Sequence, residues 1–182
     1  MSKKQFETFL EREIEAAKQF DAKKEIAEYQ GFLTQLYAQA RQYVEPYVAS
    51  GSMSIEMMSK PMQEEGLGVY EVEEMVLRIS TTKHVRLVPK GTNLIGTKGR
   101  VDIQGRGPDV RLILVDKTAS KPRIRITQSI VRPGQSVSTP APVALESIDW
   151  TWKIATSPPD VRYIDLNEET FLDAVLRVAA NG

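Results

Sequence analysis

The sequence predicts an α+β protein with three parts in order. These are an N-terminal helical hairpin or single long helix, an antiparallel β-sandwich or barrel, and a short C-terminal helix. Three observations predict this. Residues 2–48 hold no proline before Pro46 and are dominated by Ala, Glu, Lys, Gln and Leu, all good helix formers. From Val69 onward, apolar residues alternate in short runs bounded by Gly and Pro, the pattern of half-buried strands. Asn167-Glu168-Glu169 then opens a last stripe, Phe171, Leu172, Val175 and Val178, with a cap residue and acids in the first turn.

The helical segment opens with Ser2 as a candidate cap and Gln5 as its capping-box partner. It carries two apolar stripes. Phe6, Phe9, Leu10, Ile14, Ala17 and Phe20 form the first; Ile26, Tyr29, Leu33, Leu36, Tyr37, Ala40, Tyr43, Val44 and Tyr47 form the second. Their phases do not join, because Glu13 and Lys24 fall where the first stripe extrapolates. The chain must therefore kink or turn near Phe20–Lys24, with Asp21 placed to cap a second helix. One continuous helix would span roughly 65–70 Å, too long for a compact domain of this size to cover. So the segment forms a hairpin or projects toward a partner. Tyr29, Leu33, Leu36, Tyr37, Tyr43 and Tyr47 are its candidate partner-facing residues, with packing as the simpler role.

Residues 49–68 read as a Met-rich linker, between Ser50-Gly51-Ser52 and Gly66-Leu67-Gly68, with Pro61 inside. Met53, Met57, Met58 and Met62 lie there, and Ser54–Ser59 is long enough for one helical turn. Strand runs follow at Met75–Ile79, Val85–Leu87, Val101–Ile103, Val110–Val115, Ile124–Ile126 and Ile148–Ile154. No helical crossover separates them, which favours antiparallel pairing. The expected domains are therefore 1–48 (helical), 49–68 (linker) and 69–182 (β-rich with a C-terminal helix).

Composition narrows the chemistry. There are 182 residues, 24 Lys plus Arg, 24 Asp plus Glu, one His and no Cys. Without cysteine there are no disulfides, thiolate metal sites or cysteine nucleophiles. A single histidine, His84, rules out a multi-histidine metal site within one chain. No apolar run approaches the roughly 18 residues of a membrane span, and Met1-Ser2-Lys3-Lys4 leads into charge rather than an apolar signal core. A cytoplasmic protein without membrane attachment is the expectation.

The zero net charge hides a partition. Thirteen of the 24 basic residues lie between Arg78 and Arg132, where the only acids are Asp102, Asp109 and Asp116. Clustered basic side chains are the footprint of polyanion binders. The candidates are Lys83, Arg86, Lys98, Arg100, Arg106, Arg111, Arg123 and Arg125. Arg123 and Arg125 share a strand face opposite Ile124 and Ile126. The competing reading is a solvated face, or neutralisation by the acidic ends of the chain.

Motifs add little. Gly91–Lys98 (GTNLIGTK) has P-loop glycine spacing, but Thr97 and Lys98 stand in reversed order and a strand pattern follows, where a P-loop needs a helix N-terminus. Ile95–Gly99 contains a GXXG tetrad like that of KH domains, again without flanking helices, so a hairpin turn explains its glycines. Asp102, Asp109 and Asp116 sit on separate turns among basic residues, which suits salt bridges better than Mg²⁺. Trp150 and Trp152 share a strand face with Ile148 and Ile154, a core pattern unless exposed as a base-stacking platform. No complete catalytic set is legible, and no metal or cofactor is called for. The sequence does not exclude carboxylate-based catalysis, but it favours a non-catalytic assembly or binding protein. In that reading the helices mediate self-association or partner docking, and the β domain presents a basic face. The alternative is a nucleic-acid or other polyanion binder using the 78–132 stretch. The expected partners are a second copy of the chain through the N-terminal helices, and nucleic acid or an acidic protein.

Overall fold

The helical segment breaks where the two stripes fall out of phase. In the computed structural model, which describes residues 3–92, 97–122 and 148–180 (without side chains at 12, 13 and 16–19), α1 spans Lys3–Gln19 and α2 spans Ala22–Ala49. Asp21 is the cap between them: its carboxylate accepts from the amides of Lys23 at 3.0 Å and Lys24 at 3.2 Å. These are donors a helix start leaves without partners. Ser2 lies outside the described residues.

Among the described residues seven strands follow: β1 Ser54–Glu64, β2 Gly68–Arg78, β3 His84–Gly91, β4 Gly99–Gln104, β5 Val110–Asp116, β6 Trp150–Ala155 and β7 Tyr163–Asp165. They form one antiparallel sheet in sequence order, each strand beside its chain neighbours. This corrects the expected sandwich or barrel: among the described residues there is one open sheet. The second layer comes from helices instead. Helix α2 and the C-terminal α3 (Glu168–Ala179) cover one sheet face, and the core runs between them. Asn167 caps α3 as expected, with Thr170 completing a reciprocal capping box.

The linker expected at 49–68 is largely strand. β1 pairs with β2 along its whole length, from Ser54↔Arg78 to Glu64↔Gly68, and no helical turn forms at Ser54–Ser59. As an edge strand, β1 can hold Pro61, since its outer side needs no ladder hydrogen bond. β2 pairs with β3 only over Met75–Arg78. There Met75 and Leu77 enter the core; beyond it Tyr70 and Val72, of opposite parity, do so. The free end of the hairpin thus turns its other face inward, beside α2.

Helix α2 is fixed by more than apolar contact. Tyr29, Leu33, Leu36, Tyr37, Ala40 and Val44 form its buried face. Tyr29 donates its hydroxyl to Arg100 O at 2.8 Å and accepts the Gly91 amide at 3.2 Å. Tyr37 donates to Glu73 O, Gln30 Nε2 to Glu71 O at 2.8 Å, and Trp152 Nε1 to Phe32 O at 3.0 Å. Burial pushes the Tyr29 and Tyr37 phenols well above their ordinary values. No described helix is long and apolar enough to cross a membrane.

Candidate functional site

Register decides which basic residues meet. Arg86 stands opposite Gln104, Asp102 opposite Arg111, Arg100 opposite Ile113, and Ile113 opposite Lys153. Side chains on paired residues share a face, so Arg86, Arg100, Arg111 and Lys153 all lie on the sheet face away from α2. The middle of that face is neutralised. Glu74, 1% exposed, accepts from Lys60 Nζ at 2.7 Å and from Arg86 Nε. Burial alone would raise the Glu74 carboxyl, but the hydrogen bonds from Arg86 and Lys60 outweigh it and hold it below the ordinary range. Asp102, also buried, takes both Nε and Nη2 of Arg100, at 2.6 and 2.8 Å. Buried Lys153 reaches exposed Asp165 at 2.9 Å.

Three of the cations, with the single histidine, come together at one end of the face. In the turn between β2 and β3, the Ser80 hydroxyl accepts from the Lys83 amide at 3.1 Å, and Ile79 N donates to Lys83 O at 2.9 Å. That turn holds Lys83 and His84 outward. The turn after β4 comes back beside it, and Arg106 Nη2 donates to Thr82 O at 3.3 Å. This second turn is seated on the end of α3, where Gly107 N donates to Val178 O at 2.8 Å. Between the two turns lies a cleft of about 280 Å³, lined by Thr82, Lys83, His84, Arg86, Gln104, Gly105, Arg106, Asp109 and Ala179.

Of the eight anion candidates, three therefore line one cleft: Lys83, Arg86 and Arg106. Lys98 lies apart, paired with Glu25 at 2.7 Å and Glu28 at 3.0 Å on α2. Burial would depress its ammonium, yet those carboxylates more than offset this and raise it. Arg100 is taken by Asp102, and Arg111 is half-buried on the strand beside it. Arg123 and Arg125 fall outside the described residues, as does the expected strand at Ile124–Ile126. Neutralisation by the acidic N-terminal segment is thus real at Lys98; among the described residues none reaches Lys83.

The partner-helix candidates divide as well. Tyr29, Leu33, Leu36 and Tyr37 are at most 4% exposed, so they hold α2 on the sheet and leave a partner no surface there. Tyr43 packs against Phe171, with ring centroids 5.6 Å apart, and Tyr47 is exposed. The exposed apolar stripe is the other one: Phe6, Phe9, Leu10 and Ile14 of α1 are 41–55% exposed. Trp152 is buried and Trp150 packs against the core, which removes the stacking platform. Gly91 and Gly99 end and begin adjacent antiparallel strands; residues 93–96 of the GTNLIGTK segment between them, with Gly96 of the GXXG tetrad, lie outside the described residues.

Set against protein-family models, curated proteins and solved structures, the chain matches none. Its chemistry must be read from the cleft itself. Asp109 is exposed and receives Gln104 Nε2 at 2.6 Å. Among the described residues no hydrogen bond joins His84 to Asp109 or Thr82. Lys83 and His84 have no carboxylate within ion-pair reach among the described residues. What the site can do is hold an anion by charge and by N–H donors. Sequence reasoning misses two things here. Glu74 gives no signal beyond an acid beside Met75-Val76-Leu77. The meeting of Lys83 with Arg106 depends on strand register.

Proposed function

We propose that this chain is a non-catalytic binding protein whose basic cleft takes a phosphate-bearing polyanion, with nucleic acid as the first probe. One observation carries the reading: Lys83 and Arg106, from two separate turns, and His84 and Arg86, from the start of β3, line the same cleft. Arg86 is held by Glu74 through Nε, which leaves its terminal nitrogens for an anion. Lys83 is exposed, and no carboxylate among the described residues pairs with it.

The test is binding of single-stranded and duplex oligonucleotides at about 50 mM salt, repeated as salt rises. Two or three phosphate contacts give a slope of log affinity against log salt of about −2 to −3. Replacing Lys83 and Arg106 together by alanine is expected to weaken binding by roughly tenfold for each phosphate no longer held. No binding of either nucleic acid at low salt, or binding indifferent to that double substitution, overturns the reading.

A second reading, assembly through the N-terminal segment, is favoured by a different observation. The four large apolar side chains of α1 are all at least 41% exposed, and none belongs to the core. An isolated helix of 17 residues is near the limit of stability in water, so such a stripe calls for a surface to cover it.

A further inference from the structure

We infer that the basic cleft takes a phosphomonoester, the end group of a nucleic-acid strand or of a free nucleotide, rather than the phosphates inside a strand. The inference rests on the polyanion reading and names the group that enters the site.

Three observations carry it. The first is how the two arginines are held. Arg86 gives Nε to Glu74, which is 1% exposed. Arg106 gives Nη2 to the Thr82 carbonyl at 3.3 Å. Each guanidinium is anchored through one nitrogen and keeps other N–H groups for a ligand. Donors fixed before the ligand arrives lose little freedom on binding. The second is how the donors are placed. Arg86 stands opposite Gln104 on the adjoining strand, and the same antiparallel register carried along sets His84 opposite Arg106. Lys83 comes next in the chain, and all four line one concavity of about 280 Å³. That is just under the range of roughly 300–1,000 Å³ typical of small-molecule pockets, a size for one end group rather than a run of backbone. A phosphomonoester brings about two charges and three acceptor oxygens to a single point at neutral pH. A phosphate inside a strand brings one charge.

The third is what surrounds the cleft. Across the ladder from His84, Arg78 is paired with Glu56 at 2.6 Å. Other cations of the same sheet face are taken as well: Lys60 shares Glu74, Asp102 holds Arg100, and Asp165 holds Lys153. Arg111, half-buried, stands opposite Asp102. Asp109 lines the cleft itself and is exposed. A strand running through the cleft must leave it on two sides, past these carboxylates. A terminal phosphate needs only one way out.

The test is binding of the full chain to a labelled single strand of about eight nucleotides, made once with a terminal phosphate and once with a terminal hydroxyl, at about 50 mM salt. The phosphorylated strand is expected to bind about tenfold more tightly, the worth of one further charge-assisted hydrogen bond. Lys83→Ala combined with Arg106→Ala is expected to remove most of that difference. Both side chains are exposed, so the fold, followed by circular dichroism, is expected to persist. A nucleoside monophosphate is expected to displace the strand, and a cyclic nucleotide, whose phosphate is a singly charged diester, is not. Displacement at concentrations matching those of the phosphorylated strand names a free nucleotide as the ligand; displacement only at large excess names the strand end. Equal affinity for the two strands, or a preference unchanged in the double variant, overturns the inference and leaves polyanion binding standing. Binding of neither strand overturns both.

Discussion

Gly105 lies so close to Val178 that a Cβ built on it would sit 2.4 Å from the Val178 carbonyl oxygen and 2.9 Å from its carbonyl carbon. Both are backbone atoms, so no rotamer change can relieve the clash. Gly105→Ala must therefore push the β4–β5 turn away from the end of α3, at a cost typical of overpacking, about 1–3 kcal/mol. The same displacement moves Arg106 away from Thr82 and opens the cleft. Thermal unfolding and oligonucleotide binding are both expected to weaken. Full stability in the variant would mean that this turn is not seated as described.

Tyr29 joins three elements through one hydroxyl, donating to Arg100 O and accepting from Gly91 N. Tyr29→Phe keeps the ring and its packing while leaving a buried amide and a carbonyl without that partner. Unsatisfied buried groups of this kind cost about 1–3 kcal/mol. Urea denaturation is expected to show a lower midpoint at an unchanged slope, since the surface exposed on unfolding barely changes. A midpoint equal to wild type would show that another donor and acceptor take over.

The Asp21 break, the Asn167 cap and the strand alternation are legible in the sequence because each is a local signal. What depends on partners is not. β1 reads as linker because its half-buried residues change parity between Met57 and Lys60, so no alternation runs its length, and Pro61 argues against a strand. One sheet or two cannot be told from alternation, which shows that a strand has an apolar face but not what covers it. Here α2 and α3 cover it. The basic stretch is legible in the sequence, but strand register brings only Lys83, Arg86 and Arg106 of the eight candidates to one cleft and gives Lys98 to Glu25 and Glu28. In the sequence the tyrosines of α2 mark a packing face first and a partner surface second. Tyr29 and Tyr37 go to the sheet, and α1 keeps the exposed stripe.

Glu74 gives the fold an acid-sensitive contact. Its carboxyl is held below the ordinary value of 4.5 by Arg86 and Lys60, against the opposing effect of burial. In the window between the two values the unfolded chain binds the extra proton, so stability rises with pH there. Its contribution is fully present above the unfolded value and is lost as pH falls through the folded one. Glu74→Gln is expected to cost roughly 1–2 kcal/mol at neutral pH, discounted because both cations reach solvent. The variant's melting temperature should also fall less than the wild type's between about pH 5 and 3. Parallel acid profiles for the two proteins would assign the acid sensitivity elsewhere.

Lys98 and Lys83 belong to one basic stretch of sequence and are expected to respond in opposite ways. Lys98 is two-thirds or more buried and bridges Glu25 and Glu28, so it ties the first turns of α2 to the start of β4. Lys98→Met is expected to destabilise the fold by about 1 kcal/mol, because Glu25 loses its counter-charge and Glu28 keeps only Lys24, at 4.0 Å. Nucleic-acid affinity should be unchanged, since that residue lies outside the cleft. Lys83 has no carboxylate partner among the described residues, and Lys83→Met should leave stability within about 0.5 kcal/mol, as for other surface changes. It should instead weaken binding and flatten the salt slope by about 0.9, one phosphate fewer being neutralised. Unfolding curves and salt-dependent binding on both variants decide the point. Equal losses of affinity would mean that total positive charge, rather than the cleft, attracts the polyanion.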